Sequence, residues 1–417
     1  MDNPASAAIL TGMRDESDLL IVGGGLNGPA LALAAAQAGL SSTVIDALPA
    51  ETALANEFDG RSYALALASQ RMLARLELWD ELADHAQPML EIKVTDGRAG
   101  EGAAFLGLHF DHAEIEEGPM GYMVEDRYLR RALWQSVDRC ETIRHLPGCR
   151  VTAQEARPGG VTVTLEDGAQ LHGRLLVGAD GRQSGTAARA GIRRTGWRYG
   201  QTALVCAISH EKPHHGIAHQ FFMPSGPLAI LPLPGNRSSI VWSETDDAAQ
   251  RINALSDADY LDVLRPRFGD FLGEISLAGD RFTYPLSLSL ANSFIGDKLA
   301  LVGDAAHGVH PIAGQGLNAG LRDVAALAHV LTHARQRGED FAQPDVLARY
   351  QLWRRFDTAT LAGATDIFNR LFSNDNPLLR AGRDLGMKAV QAVPALRRGF
   401  MREAAGLTGD LPELMRG

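Results

Sequence analysis

Three short runs of apolar residues stand out along the chain, at 18–23, 175–178 and 298–303, and each of them ends in glycine. A run of this length bounded by glycine is typical of a strand that is buried on both faces of a parallel sheet. The first run is followed by helical spacing over 29–38, and Gly39 stands where a helix would end. This alternation predicts an α/β unit built on a parallel sheet.

A different pattern occupies residues 197–290, where short β-like segments are separated by proline and by glycine–asparagine turns. This pattern predicts an antiparallel sheet beside the first unit, with a ligand cleft between the two. The predicted strands are 203–208, 217–223, 227–233 and 238–242. Four aromatic side chains either line the cleft or form the core of the sheet, namely Phe221, Phe222, Trp242 and Tyr284. From Asp345 onward the pattern is helical.

The first apolar run leads into a glycine-rich turn, Gly23-Gly24-Gly25-Leu26-Asn27-Gly28, and then into the predicted helix. In such a motif the first glycine permits a tight turn, the second lets the backbone approach a pyrophosphate, and the third allows close contact between helix and strand. The helix start offers free N–H groups to an anion. Asp46 lies 18 residues beyond Gly28, after a second predicted strand, where a carboxylate can accept hydrogen bonds from a ribose. The motif predicts dinucleotide binding without deciding between FAD and NAD.

The other two apolar runs also end in motifs that suit a dinucleotide. The second continues into Asp180-Gly181-Arg182, and Ser184 is predicted to cap a short helix. The third is followed by Asp304, at the carboxyl end of a strand, where open α/β sheets bind ligands. Gly314 and Gly316 then lead into a long helix whose start would stabilise the negative charge of a reduced flavin. The order of the three motifs favours FAD.

Composition and charge exclude several other classes of protein. The chain has 417 residues and a formal net charge of −10, which argues against a general nucleic-acid binder. Its three cysteines show no spacing typical of a metal site, so no metal is predicted. Glycine, proline and polar residues interrupt the apolar stretch 19–45, so it is not predicted to span a membrane. We expect a cytoplasmic protein without a signal peptide.

Four longer segments resemble the flavoprotein aromatic hydroxylases of the para-hydroxybenzoate hydroxylase superfamily, and in particular the branch that acts in ubiquinone biosynthesis. The segments are Asp59–Leu65, Gly121–Arg127, Gly303–Asn318 and Phe400–Pro412. The resemblance implies an α/β fold in which a Rossmann-like FAD-binding domain is interleaved with an α+β substrate domain that carries an antiparallel sheet, followed by C-terminal helices. We place the FAD-binding domain at 17–98, 122–195 and 296–340, the substrate domain at 99–121 and 196–295, and the helical region at 341–417.

The resemblance also implies which residues bind FAD. Gly23, Gly25, Gly28 and Asp46 would hold the AMP half of FAD. Arg61 and one residue of the Asp126–Arg127 pair would flank the cofactor, and Asp180 and Gly181 would serve both FAD and the passing nicotinamide. Asp304 would bind the ribityl chain, and the pyrophosphate and isoalloxazine would contact Gly314, Gly316, Leu317 and Asn318. The acid after the second strand is often Glu in relatives, so Asp46 is one methylene shorter than usual.

By the same resemblance, the protein is an enzyme that uses NAD(P)H and O2 as co-substrates and hydroxylates the ring of a polyprenyl phenol through a flavin C4a-hydroperoxide. The protein itself must supply a pocket that excludes water. Three alternatives stay open, namely another small phenolic substrate, a flavin reductase without oxygen insertion, and a flavin-loaded scaffold in a biosynthetic complex. His307 and His310 are the candidates for a catalytic base, unless they only hydrogen-bond the backbone beside the cofactor.

The C-terminal region 376–407 is basic within an acidic protein. It contains six Lys and Arg residues against Asp384 and Glu403, a difference of +4, and apolar residues fall on one helical face before Pro394. One interpretation is a peripheral contact with anionic lipid at the inner face of the membrane, which suits a polyprenylated substrate. The other is a helix packed on its own domain with solvated arginines.

Overall fold

The structure is a computed structural model that describes residues 16–55, 58, 60–98, 102–309, 314–372, 386 and 388–417. Its strands and helices are numbered along the chain. The helices are α1 (Asn27–Gln37), α2 (Ala50–Ala53), α3 (Leu67–Arg75), α4 (Trp79–Leu82), α5 (Asp126–Arg139), α6 (Gly185–Arg189), α7 (Asp246–Asn253), α8 (Asp257–Phe268), α9 (Gln315–Gln336), α10 (Pro344–Phe372) and α11 (Pro394–Ala404). Single 3₁₀ turns lie at Ala83–His85, His112–Glu114, Gly303–Ala305 and Glu413–Met415.

The predicted parallel sheet is present and brings the three glycine-ended strands together. Its parallel strands are β1 (Glu16–Val22), β2 (Ser42–Asp46), β8 (Ile143–Pro147), β11 (Gln170–Gly178) and β19 (Leu299–Leu301), in the order β19-β11-β1-β2-β8. Val22 pairs with Gly178, and Gly178 pairs with Leu301, so these strands end at the same edge of the sheet. Three antiparallel strands complete it, namely β9 (Val151–Arg157), β10 (Gly160–Leu165) and β18 (Ile295–Gly296).

The second sheet is the predicted antiparallel one, and it holds all four of the strands expected between 203 and 242. Its strands are β5 (Glu91–Arg98), β6 (Gly102–Asp111), β12 (Arg194–His210), β13 (Ile217–Met223), β14 (Gly226–Leu233), β15 (Arg237–Thr245), β16 (Ile275–Leu277), β17 (Phe282–Ala291) and β20 (His307–Gly308). The order is β20-β17-β12-β15-β14-β13-β5-β6, with β16 also paired to β12. Of the strand pairs that the structure describes in this sheet, only the pair of β13 with β5 is parallel. The domain boundary predicted at 98/99 assigns β5 to the FAD-binding domain, but β5 belongs to this second sheet. The boundary therefore falls between two paired strands, β5 and β6.

A small antiparallel sheet joins the two larger ones. It contains β3 (Ser62–Ala66), β4 (Ala86–Met89) and β7 (Gly121–Glu125), with β7 in the middle. Met89 and Met123 of this sheet pack against Ala207 and Leu233 of the second sheet in one apolar cluster. The cluster fixes one face of the second sheet against the FAD-binding part of the chain.

The four aromatic residues of the second sheet lie in three different environments. Trp242 and Phe221 are buried with Tyr260 in the core between this sheet and helices α7 and α8. Phe222 packs on the opposite face against Leu371 of α10, whereas the Tyr284 side chain is 41% exposed. The core interpretation therefore applies to Trp242, Phe221 and Phe222 and not to Tyr284. Phe222 lies in a separate cluster from Phe221 because neighbouring residues of a strand point to opposite faces.

Candidate functional site

The glycines of the first motif meet different surroundings. Gly23 has φ +115°, and a β-carbon there would lie 2.3 Å from the carbonyl oxygen of Ala179. A β-carbon on Gly28 would lie 1.9 Å from the carbonyl oxygen of Gly23, so both positions exclude any side chain. A β-carbon on Gly25 would meet no atom of the described chain within 4 Å. The turn is therefore closely packed beneath and open above Gly25, at the start of α1.

Asp46 places an unused carboxylate oxygen beside this open space. Its side chain is buried, and Oδ1 accepts a hydrogen bond of 3.1 Å from the backbone N–H of Leu48. Oδ2 is buried and has no hydrogen-bond partner among the described residues. A β-carbon on Gly24 would lie 2.4 Å from that oxygen, so the carboxylate rests against the glycine turn. A buried acceptor without a partner is costly unless a ligand supplies the donor.

Asn27 connects the first motif to the third. Its side-chain Nδ2 would lie 2.1 Å from a β-carbon on Gly303 and 2.6 Å from one on Gly320 of α9. The amide thus occupies the space that side chains at those two positions would need. Trp134 of α5 holds the other side of the turn, because its Nε1 donates a 2.8 Å hydrogen bond to the carbonyl oxygen of Gly24. Sequence reasoning assigned neither Asn27 nor Trp134 a role.

Asn318 fastens the start of α9 to the small sheet. Its Oδ1 accepts hydrogen bonds of 2.8 Å from Ala66 N–H and from the Ser69 hydroxyl, while Nδ2 donates to the carbonyl oxygens of Ala64 and Gly314. Gly314 has φ +64°, and no acidic residue occupies the first turn of α9. The Asn318 side chain is therefore fully engaged within the protein, and only the backbone of this residue is left for contact with a ligand.

Asp180 and Asp304, the two acids of the later motifs, are both engaged within the protein. The Asp180 carboxylate accepts hydrogen bonds from the Ser184 hydroxyl at 2.5 Å and from both N and Oγ1 of Thr186 at 2.9 Å. The Ser184 hydroxyl in turn accepts from Ala187 N–H and caps α6, as predicted. Asp304 is half-buried, and its Oδ2 accepts a 2.9 Å hydrogen bond from Nε of Arg182. Asp180 therefore holds α6, and Arg182 links the second and third motifs.

The Asp126–Arg127 pair divides between two ionic clusters. Oδ2 of Asp126 lies 3.2 Å from Nη2 of Arg61 and 2.7 Å from Nη2 of Arg130. Arg127 instead lies 2.7 Å from Glu125.

Glu125 is buried, and a second arginine, Arg237 of β15, also reaches it at 2.8 Å. Sequence reasoning did not find the Glu125–Arg237 pair, because the two residues lie on separate sheets and share no motif.

His307 lies at the centre of a buried charge network. Its Nε2 donates to Oδ2 of Asp323 at 2.6 Å, and Arg354 Nε donates to Oδ1 of the same carboxylate at 2.8 Å. The side chains of His307 and Asp323 have no exposed surface. Burial would raise the pKa of Asp323, but the charges of His307 and Arg354 outweigh burial and lower it. The partner of His307 is thus a carboxylate rather than backbone, and His310 lies outside the described residues.

Comparison with known proteins decides the family of this chain. A family model described as FAD binding domain matches residues 16–360. The chain belongs to this FAD-binding-domain family. The flavoprotein is 46% identical over 420 aligned positions to the ubiquinone hydroxylase UbiL of Rhodospirillum rubrum, which covers 100% of this chain and 96% of the relative. It is 35% identical to the 3-demethoxyubiquinol 3-hydroxylase of Escherichia coli, covering 94% of this chain and 99% of the relative.

A solved structure confirms the predicted fold. The p-nitrophenol 4-monooxygenase PnpA of Pseudomonas putida superimposes on the flavoprotein with a TM-score of 0.79, covering 95% of this chain and 99% of the other, at 19% identity. The predicted α/β architecture with an antiparallel second sheet is therefore confirmed. The family and its relatives make the flavoprotein an FAD-dependent monooxygenase, for which NAD(P)H and O2 are the usual co-substrates. No helix among the described residues is long and apolar enough to cross a bilayer.

Proposed function

We propose that this flavoprotein hydroxylates the aromatic ring of a polyprenyl-phenol precursor of ubiquinone. One ring C–H, O2, NAD(P)H and a proton are converted to ring C–OH, NAD(P)+ and water. The observation that carries the proposal is the 46% identity along the whole chain to a protein named as a ubiquinone hydroxylase. An apolar face on the second sheet supports it independently.

The residues around the glycine turn fit FAD. We propose that Oδ2 of Asp46 accepts a hydrogen bond from the adenosine ribose, that the pyrophosphate lies over Gly25, and that the starts of α1 and α9 offer N–H groups to the cofactor. Neither helix has an acidic residue in its first turn that would oppose an anion. Bound flavin supplies the hydride acceptor and the oxygen-transfer chemistry.

The apolar face is a row of side chains that crosses the second sheet from strand to strand. Val205 pairs with Val241, Val241 with Ala229, Ala229 with Gln220, and Gln220 with Val94. All five are half-buried. Paired residues of adjacent strands share a face, so the row is a continuous, partly open apolar strip. Such a strip suits an aromatic ring with an apolar tail.

Gln220 is the polar member of this row. On its own strand it lies between Ala218, which packs in the cluster with Met89 and Met123, and Phe222, which packs against Leu371. Its Nε2 is buried and has no hydrogen-bond partner among the residues that the structure describes. We propose that this amide donates a hydrogen bond to an oxygen on the substrate ring and thereby selects an oxygenated ring over a bare apolar one.

We propose no role as a base for His307, because its side chain has no exposed surface and its Nε2 is bonded to Asp323, although its Nδ1 is buried without a partner among the described residues. We propose that it positions the turn after β19, whose Gly303 N–H also donates to Asp323 at 2.9 Å. The contribution of the chain is then to hold cofactor and ring together and to exclude water.

A labelling experiment tests the function. The FAD-reconstituted protein is given NADPH or NADH, 18O2 and a short-chain polyprenyl phenol, and the product is analysed by mass spectrometry. We expect one 18O atom in the ring product. Flavin reduction without label in the product would support a reductase, and NAD(P)H oxidation that no phenol accelerates would support a scaffold; either result overturns the proposal. Mass spectrometry of the quinone intermediates that accumulate in a strain lacking this protein would identify which hydroxylation step it catalyses.

A substitution tests the role of Gln220. Gln220→Leu keeps the size of the side chain and removes the amide, so we expect KM for the phenol to rise about tenfold or more and uncoupled peroxide release to increase. Gln170→Leu, on an exposed position of β11, is the matched control. Equal KM values for the two variants would contradict the assignment, while an intact product label would leave the function standing.

We also propose a peripheral membrane contact through α11. Val393, Leu396 and Phe400 are 48%, 46% and 42% exposed, and they fall on one side of this helix. The arginines nearby are largely occupied, since Arg397 pairs with Glu114 at 2.8 Å and Arg402 with Glu117 at 2.9 Å. Contact with lipid would therefore depend on the apolar side chains more than on the excess of Lys and Arg residues in 376–407.

A further inference from the structure

Outside the flavin and substrate region, two histidines and a glutamate converge at the C-terminal end of α9. His329 and His333 are separated by one helical turn, and Glu413 belongs to the last 3₁₀ turn of the chain. The ligand-capable atoms of the three side chains all lie within 4.8 Å of one another. We infer that His329, His333 and Glu413 form a binding site for a zinc-type divalent transition-metal ion.

The distances favour an ion over direct pairing. Oε2 of Glu413 lies 3.9 Å from Nδ1 of His329 and 4.0 Å from Nε2 of His333. Both separations exceed the roughly 3.2 Å limit of an N–H···O hydrogen bond. Ligands about 2.0–2.2 Å from a tetrahedral zinc ion stand roughly 3.3 Å apart. The glutamate and the imidazoles, whose ligand atoms lie within 4.8 Å of one another, would therefore move closer together when an ion binds.

A second observation points to a missing partner. Nδ1 of His329 is buried and has no hydrogen-bond partner within the described part of the chain. The imidazole is held in place by Trp353, whose ring meets it edge-on at 5.3 Å, and by His333 at 4.2 Å between centroids. An oriented imidazole nitrogen without a donor or acceptor is what a metal ligand requires.

The site is accessible, and its ligands connect two distant parts of the chain. The side chains of His333 and Glu413 are 39% and 63% exposed, so an ion and a completing water can enter from solvent. Asp410 lies nearby and adds negative charge, although it also pairs with Arg416 at 3.6 Å. Met415, two residues beyond Glu413, is buried in the main core. A bound ion would therefore fasten the C-terminal segment onto α9.

Two imidazoles and one carboxylate suit zinc, and two histidines at i and i+4 on a helix are a recurrent zinc-binding spacing. Copper and nickel would compete for the same donors by their intrinsic affinity. Because His329 lies 14 residues, about 21 Å, along α9 from the helix start that faces the glycine turn, the ion would act as a structural link and take no part in oxygen transfer.

Metal titration of tag-free, chelator-treated holoprotein tests the inference. We expect one equivalent of Zn2+ by calorimetry, a tetrahedral absorption spectrum with Co2+, and a higher Tm when Zn2+ is added. His333→Ala and Glu413→Gln should each weaken Zn2+ binding about tenfold or more and abolish the Tm shift. Both side chains are exposed, so these variants should fold, and far-UV circular dichroism checks this.

The matched control is His109→Ala, which removes a surface histidine that pairs with Glu91 at 2.7 Å and belongs to no group of three ligands among the residues that the structure describes. This variant should bind Zn2+ like the unsubstituted protein. The inference fails if no stoichiometric binding occurs, if the His333 and Glu413 variants bind as tightly as the parent, or if His109→Ala causes the same loss.

Discussion

The side-chain amide of Asn27 occupies the space beside Gly303, where Nδ2 would lie only 2.1 Å from any added β-carbon. This contact ties the first glycine motif to the end of β19 and so brings the two proposed halves of the FAD site into one rigid unit. It explains in steric terms why Gly303 and Gly320 both lack a side chain.

We expect Gly303→Ala to destabilise the protein and to lower FAD occupancy together. Gly303 has φ +60°, and the added methyl would also collide with Asn27. The left-handed conformation costs about 1 kcal/mol and overpacking about 1–3 kcal/mol more. Gly191→Ala is the control, because Gly191 has φ +68° and open space in the described structure. Urea unfolding should separate the two variants by the overpacking cost, and equal midpoints would contradict the contact.

Gly25→Ala should leave the apoprotein as stable as the parent while strongly reducing FAD binding. A methyl group at this position meets nothing in the described chain but would stand where we place the pyrophosphate. Gly28→Ala should instead destabilise the apoprotein, because its β-carbon would lie 1.9 Å from the Gly23 carbonyl oxygen. Apoprotein Tm and flavin titration measure both effects. If Gly25→Ala bound FAD with normal affinity, the pyrophosphate would not lie over Gly25.

Asp46→Asn should weaken FAD binding about 10- to 100-fold without lowering apoprotein stability. The substitution keeps the Oδ1 acceptor for Leu48 and replaces the unpartnered carboxylate oxygen. A hydrogen bond to a charged group contributes about 1.5–3 kcal/mol, which sets the expected loss. Fluorescence titration of the apoprotein with FAD gives the affinity. If Asp46 had only a structural role, the apoprotein would lose stability and FAD affinity would stay unchanged.

We expect the protein to lose stability as the pH falls to 5, because His219 takes up a proton more readily in the unfolded chain than in the folded protein. Burial, and next the charge of Lys93, lower the pKa of His219 to about 4, against the opposing charge of Glu91. Between pH 6.5 and 4 the unfolded chain binds a proton that the folded protein does not, so stability falls as pH falls through this window. At pH 5 the loss is about 2 kcal/mol.

His219→Phe keeps an aromatic ring beside Phe271 and removes this titration. The difference in unfolding free energy between pH 7 and pH 5 should therefore shrink in the variant. The same pH dependence in both proteins would show that other groups cause it.

Leu396→Glu with Phe400→Glu should release the protein from liposomes that contain anionic lipid. Burial of one such side chain contributes about 1.5–3 kcal/mol, so the double substitution should weaken partition about tenfold or more. Leu352→Glu with Phe356→Glu is the matched control, since these side chains form an equally spaced pair on α10 and are 80% and 75% exposed. If both double variants still float with the liposomes, the membrane contact is not made by α11.

Prediction of structure from the sequence pattern succeeded where the determining interactions are local. Buried parallel strands, glycine turns and helix stops depend on a few neighbouring residues, and the predicted ends of β1, β11 and β19 do meet at one edge. It succeeded less where partners are distant. Asp46 and Asp180 both stand at the carboxyl ends of strands, yet of these two only Asp46 keeps a carboxylate oxygen without a partner among the described residues, because Ser184 and Thr186 engage Asp180.

The amino-acid order alone determined the family, the flavin cofactor and the two kinds of sheet, because short-range constraints on glycine, aspartate and apolar residues carry that information. Only the tertiary structure decided which polar groups remain available for ligands. The amide of Gln220 on an apolar strip, the burial of His307 against Asp323, and the approach of Glu413 to two histidines of α9 all arise from contacts between distant parts of the chain. Such contacts depend on packing, which no local pattern records.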